Sequence, residues 1–206
     1  MKIAIIGSGN VGGALAQKFI KAGHTVLVGA KFPLSEKSIK LATQIGEDRF
    51  TNVENAVKQC EVVVLATPAP MAAEVAQSLG DTTGKVIIDT MNIVMGRGPV
   101  GFSNTADAIL ANTATKDVVK CFNTTGFNNM LDTQYGEHQI DAFVAGDSEK
   151  GKEIATKLAL DAGFGACYDV GGNDKFQLME QFAFFWINLA MFKGQGREIG
   201  FKLLKR

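Results

Sequence analysis

At 206 residues the chain has the size of one domain, or of one domain with a small appended lobe. Hydrophobic residues make up 46% of it, enough for a core, and 21 Lys and Arg balance 21 Asp and Glu. A zero formal charge offers nothing to nucleic acid or to an anionic membrane surface, and no apolar stretch reaches the roughly 18 to 20 residues of a membrane span. The start, Met1 to Gly7, carries no signal-peptide pattern. Cys60, Cys121 and Cys167 are odd in number and far apart, with no CxxC spacing. They read as buried, reduced thiols of a cytoplasmic protein.

Strand-like apolar runs alternate with helical patterns. Lys2–Ile6 is a strand apolar enough to be buried on both faces, and 11–22 a helix with Val11, Leu15, Phe19 and Ile20 on one stripe. A strand over 25–28 follows, then a helix over 35–44 capped by Ser35, a short strand at 50–52 and a helix to Gln59 capped by Asn52. Residues 61–66 form a strand and 68–79 a helix opened by proline. Strands at 85–89 and 118–122 flank a helix over 104–112. Residues 123–135, rich in Asn, Thr and Gly, read as loop with a helical turn. A strand at 142–145, a helix over 148–162 capped by Ser148, a strand at 166–170 and one long, greasy helix over 174–192 complete the chain. The alternation predicts an α/β fold: a Rossmann-type, doubly wound, mostly parallel sheet with a small C-terminal α/β extension ending in a long helix. Residues 1–122 would form the main domain and 123–206 a C-terminal lobe, with the final helix shared in a homodimer.

Gly7-Ser8-Gly9-Asn10-Val11-Gly12 matches G-x-G-x-x-G. The pattern alone is weak, and an ordinary βα turn with several glycines is the plain alternative. Here it follows a buried strand and opens a helix, the context that pyrophosphate binding requires. Gly7 permits the tight turn, Gly9 the close approach of backbone to the anion, and Gly12 the packing of helix on strand. Amides at the helix start then face negative charge along a favourable dipole. An NAD site carries an acid at the end of the second strand, about 20 residues on. This chain has Gly29-Ala30-Lys31 there and no acid before Glu36. Lys31, with Ser35 and Lys37 nearby, therefore nominates NADP, with a solvated surface lysine as the bland alternative.

Ligands of such sheets lie across the carboxyl ends of the strands, which nominates Ala66-Thr67-Pro68-Ala69, Asn92 and Asn123. Either asparagine alone can equally be turn chemistry, and Asp89 reads as a capping carboxylate rather than a base. His24 reads as structural, and His138 has no partner pattern for a metal. No Tyr-x-x-x-Lys pair or Ser/His/Asp set can be assembled, so no catalytic residue is assigned. Hydride transfer between two redox cofactors needs none, only two rings held in orientation.

The start through Gly12, with Ala22-Gly23-His24, Val28-Gly29-Ala30-Lys31, Val64-Leu65-Ala66-Thr67-Pro68, Val119-Lys120-Cys121-Phe122-Asn123-Thr124 and Phe143-Val144-Ala145-Gly146-Asp147, resembles the F420-dependent NADP oxidoreductase family, which includes bacterial dinucleotide-binding relatives and the STEAP reductase domain. The tail 192–204 is similar to the family's closing helix and extension. The resemblance implies NADP phosphate contacts at Ser8–Val11 and 2′-phosphate contacts around Ala30, Lys31 and Ser35. The family commonly has Ser-Arg where this chain has Ala30-Lys31, and losing a hydroxyl and a guanidinium fork weakens NADP preference. The loop from Asp89 to Pro99 resembles relatives with unassigned acceptors. The expected function is hydride transfer between NADPH and a small or flavin-like acceptor, F420 or a flavin. The alternatives are an imine reductase of the pyrroline-5-carboxylate reductase type and a non-catalytic NADP(H)-sensing module.

Overall fold

Short polar caps start several of the helices. In the computed structural model, which describes residues 1–206, the Ser35 hydroxyl accepts from the Ser38 amide, Asn52 from Asn55, Asn104 from Asp107 and Ser148 from Gly151. The elements in chain order are β1 (Lys2–Ile6), α1 (Asn10–Lys21), β2 (Thr25–Gly29), α2 (Glu36–Ile45), β3 (Phe50–Thr51), α3 (Val53–Gln59), β4 (Val62–Leu65), α4 (Ala72–Gln77), β5 (Val86–Asp89), α5 (Thr105–Ala111) and β6 (Val118–Cys121). Then come α6 (Phe127–Leu131), β7 (Gln134–Tyr135), β8 (His138–Gln139), β9 (Ala142–Ala145), α7 (Glu149–Asp161), β10 (Cys167–Gly171) and α8 (Phe176–Ile187).

Eight strands form one sheet in the order β10-β9-β6-β5-β4-β1-β2-β3. All neighbours are parallel except β6 and β9. From β1 the chain winds outward to β3, returns across β1 to β4 and winds the other way, the Rossmann-type order with its switch point between β1 and β4. Period-two alternation divides the strands between two cores. Ile3, Ile5, Val26, Val28, Val62, Val64 and Ile88 face α1 and α7, where Leu15, Phe19 and Leu158 meet them. Ala4, Ile6, Val63, Leu65 and Ile87 face the other layer, with Val57, Leu79, Ile109 and Phe176. Strands covered on both faces read as unbroken apolar runs for this reason.

Four local expectations change. The helix over 68–79 is split into a 3-10 turn at Ala69–Met71, with Pro70 in the first turn where its missing amide costs nothing, and α4. The long helix over 174–192 is a 3-10 turn, α8 and a π-helical turn at Asn188–Phe192, closed by Gly194 and Gly196 at φ 73° and 75°. The loop after β6 holds the expected helical turn, α6, and adds a small hairpin of β7 and β8. Cys60 and Cys121 are buried, whereas Cys167, on the edge strand β10, is only half-buried. The sheet continues across residues 122 and 123, with β9 antiparallel to β6 and β10 parallel to β9.

His24 is structural: its ring bonds the N-terminal ammonium at 3.1 Å and the Asp161 carboxylate at 3.0 Å. The last residues run as a strap without regular structure. Phe201 stacks on Phe182 with ring centroids 4.7 Å apart, and the Trp186 indole donates to the Ile199 carbonyl at 2.7 Å. The buried Asp141 carboxylate accepts from the Leu203 amide at 2.7 Å and from Lys202 at 3.3 Å. Asp141→Ala therefore releases the strap: charge-assisted bonds of this kind are worth about 1.5–3 kcal/mol, so tryptic cleavage at Lys202 should accelerate roughly tenfold or more with the rest of the chain intact. An unchanged cleavage rate would show that Asp141 does not hold it.

Candidate dinucleotide site and the charge cluster beneath it

The glycine loop leaves β1 with Gly7 at φ 114°. A Cβ on Gly7 would lie 2.4 Å from the Ala66 carbonyl oxygen, and one on Gly12 only 2.0 Å from the Gly7 oxygen. Both positions admit only hydrogen, which brings the loop against the end of β4 and seats α1 on β1. At Gly9 the situation is opposite, since nothing lies within 4 Å of a Cβ there. Gly9 caps α1 with no side-chain bond, and the first intrahelical bond runs from the Gly13 amide to the Gly9 carbonyl at 2.8 Å. The amides of Asn10, Val11 and Gly12 are thus left for an outside acceptor, with no acid in the first turn to occupy them. This open cradle fits a dinucleotide pyrophosphate. Beside it lies a cavity of about 240 Å³ lined by Ser8, Gly9, Asn10, Lys37, Lys40 and Phe127. A wider depression of about 470 Å³ between α7 and β10 contains none of the nominated residues.

The other nominated residues gather along the same edge. The Ser8 hydroxyl bonds that of Ser38 at 2.7 Å, and Ser38 bonds Ser35 at 2.9 Å. Ala30 is buried; Lys31 is exposed and pairs with Glu74 at 2.8 Å. The Thr67 hydroxyl points at the Met91 sulfur at 3.2 Å, and Pro68 and Ala69 start the turn into α4. Asn92 and Asn123 bond each other twice: Asn92 Nδ2 donates to the Asn123 carbonyl, and Asn123 Nδ2 to Asn92 Oδ1, both at 2.8 Å. Asn123 Nδ2 also donates to the Met179 carbonyl at 3.1 Å, while its buried Oδ1 has no protein partner. Phe122, just before it, is buried at φ 59°, a conformation that a bulky residue adopts only under constraint. Its ring is fixed edge-on to Phe19 at 5.9 Å.

Beneath these loops lies a group that the sequence reading missed. Lys120, in the middle of β6, is fully buried. Its Nζ donates to Asp89 at 2.5 Å, to the Thr105 hydroxyl at 2.8 Å and to the Met91 carbonyl at 2.9 Å, and it lies 2.9 Å from Glu180. Glu180, on α8, accepts from the Ile93 and Thr105 amides, each at 2.9 Å. Asp89 does cap its loop, accepting from the Met91 amide at 2.9 Å, but it also carries half of the buried ion pair. Burial pushes the Asp89 carboxyl above the usual carboxylate range, against the pull of the Lys120 ammonium and the Thr105 hydroxyl. The available signals were a lysine inside an apolar strand and a glutamate inside an apolar helix, each needing a partner.

Residues 2–93 match the family described as NADP oxidoreductase, coenzyme F420-dependent. Metalloreductase STEAP3 of Rattus norvegicus is 23% identical over 164 residues, which cover 79% of this chain and 32% of that one, so the chain spans about a third of that relative. Among solved structures, a protein of Arthrobacter sp. FB24 described as an F420-dependent NADP-reductase superposes with a TM-score of 0.82 at 23% identity, covering 100% of both chains. An imine reductase of Myxococcus stipitatus has a TM-score of 0.67 at 18% identity, covering 94% of this chain and 62% of that one.

Removing Lys120 leaves two buried carboxylates facing each other. Lys120→Met should cost about 3–5 kcal/mol, lowering Tm by roughly 10 °C in calorimetry. Adding Asp89→Asn and Glu180→Gln should recover part of that loss. A single variant as stable as the parent would mean that the ammonium is dispensable.

Proposed function

We propose that this chain, whose residues 2–93 match the family described as NADP oxidoreductase, coenzyme F420-dependent, is an oxidoreductase that passes hydride between NADPH and a flavin-like acceptor, coenzyme F420 or a flavin. The observation that carries the reading is the uncapped start of α1 over the open space at Gly9. In this reading Gly7, Ser8, Gly9, Asn10, Val11 and Gly12 hold the pyrophosphate. Ala30, Lys31 and Ser35 form the 2′-phosphate end. Ala66, Thr67, Pro68 and Ala69 pass over the middle of the cofactor, and Asn92 and Asn123 face the nicotinamide end. Bound NADPH supplies the hydride; the chain supplies binding, orientation and exclusion of water. The paired amides of Asn92 and Asn123 fix one wall, and the buried cluster below holds the backbone of Met91 and Ile93 on which that wall stands.

Residues 1–122 would then serve as the dinucleotide domain and 123–206 as the acceptor-side lobe of a cytoplasmic homodimer. Leu178, Phe184 and Phe185 on α8 and Met191 and Phe192 beyond it are exposed and apolar, the surface on which two copies would meet.

Fluorescence titration of the purified chain with NADPH and NADH, followed by the NADPH complex mixed with FMN, FAD and F420, tests this directly. Tighter binding of NADPH and its oxidation by one of these acceptors is the expected result. Tight binding without turnover would favour a sensing module, and turnover of a cyclic imine would favour the imine reductase. Equal affinity for NADH would remove the phosphate-reading role of Lys31.

A further inference from the structure

Lys31 follows β2, and Glu74 lies in the first turn of α4, after β4. These strands flank β1 on its two sides, so the 2.8 Å bond between the side chains spans the carboxyl end of β1 where the glycine loop emerges. Both side chains are largely exposed, at 65% and 59%, and neither enters another ion pair. The Lys31 ammonium also lies 5.9 Å from the centre of the exposed Phe32 ring. The cation nominated for a 2′-phosphate is therefore already held by a carboxylate from across the cofactor crevice. An acid absent from the end of β2 in the sequence is supplied in space, 43 residues away.

We propose that Glu74 is a positioning residue that acts through Lys31 to reduce the discrimination between NADP(H) and NAD(H). The proposal rests on the cofactor reading above. A 2′-phosphate must take Lys31 from Glu74 and then sits close to a displaced carboxylate of like charge. A cofactor with a 2′-hydroxyl leaves the ion pair intact and can donate to Glu74, the role that an acid has in NAD sites. Glu74 thus opposes one cofactor and not the other. The exchange is feasible because the pair is exposed and weak.

The test is a set of dissociation constants for NADPH and NADH with the parent chain, Glu74→Gln, Lys31→Met and the double variant, with melting curves to verify the fold. Glu74→Gln should tighten NADPH by about three- to fivefold, the upper range of an exposed ion pair, and leave NADH unchanged or weaker. Lys31→Met should weaken NADPH selectively, and in its background the gain from Glu74→Gln should shrink. An unchanged NADPH-to-NADH ratio in Glu74→Gln, with Lys31→Met still weakening NADPH, overturns the proposal alone. NADPH affinity that is indifferent to Lys31→Met overturns the cofactor assignment of Lys31 and the proposal with it.

Discussion

A fully buried ammonium sets the terms for the working edge of this protein. Lys120 sits in the centre of a sheet covered on both sides, where an uncompensated charge would cost more than the domain's marginal stability can carry. Its acceptors must therefore be in place whenever the chain is folded. They come from β5 (Asp89), from the loop after it (Met91), from the start of α5 (Thr105) and from α8 (Glu180). Satisfying one side chain thus ties β6 to three stretches apart in sequence, 89–91, the start of α5 and α8. The site's asparagines rest on two of them: Asn92 follows Met91, and Asn123 bonds the carbonyl of Met179.

The constraint also explains the unusual backbone at the end of β6. With Lys120 committed to one layer and Cys121 to the other, Phe122 is drawn into the aromatic group of Phe19 and Phe164 and takes a positive φ. The chain then turns sharply enough for Asn123 to reach back to Asn92. Strain at Phe122 is held by packing on one side and by the amide pair on the other, a setting in which an over-determined surrounding maintains an unfavourable conformation.

Local chemistry made much of this legible. The apolar runs gave the strands, Ser35, Asn52 and Ser148 marked helix starts, and Gly7 and Gly12 sit where only hydrogen fits. All the nominated loops lie along one edge because a parallel, doubly wound sheet puts its βα turns there. What escaped depends on pairs distant in the chain. Lys120 and Glu180 are partners across 60 positions (180 − 120) and Lys31 and Glu74 across 43. Each residue by itself reads as an exception in an apolar element or as a solvated surface charge. The antiparallel entry of β9 beside β6 and the π-helical turn after α8 leave no periodic trace either, since period two is blind to strand direction and a widened turn keeps the same apolar composition.

The two lysine–carboxylate contacts, so alike in chemistry, differ in what surrounds them, and that difference assigns their roles. Around Lys120 water is excluded, the partners are several and their geometry is fixed, so the contact cannot exchange without unfolding and acts as framework. Around Lys31 water screens a single partner, so the contact contributes little to stability and leaves the ammonium open to exchange of partners. On the proposed function, a site that must hold one end of a ligand rigidly and admit the other by exchange would use both. The buried cluster lies under Asn92 and Asn123, which the proposed function places beside the reacting ring. The Lys31–Glu74 pair lies where the same proposal puts the phosphate-reading end of the cofactor. On that proposal, dielectric surroundings, rather than residue type, divide positioning from recognition along this edge.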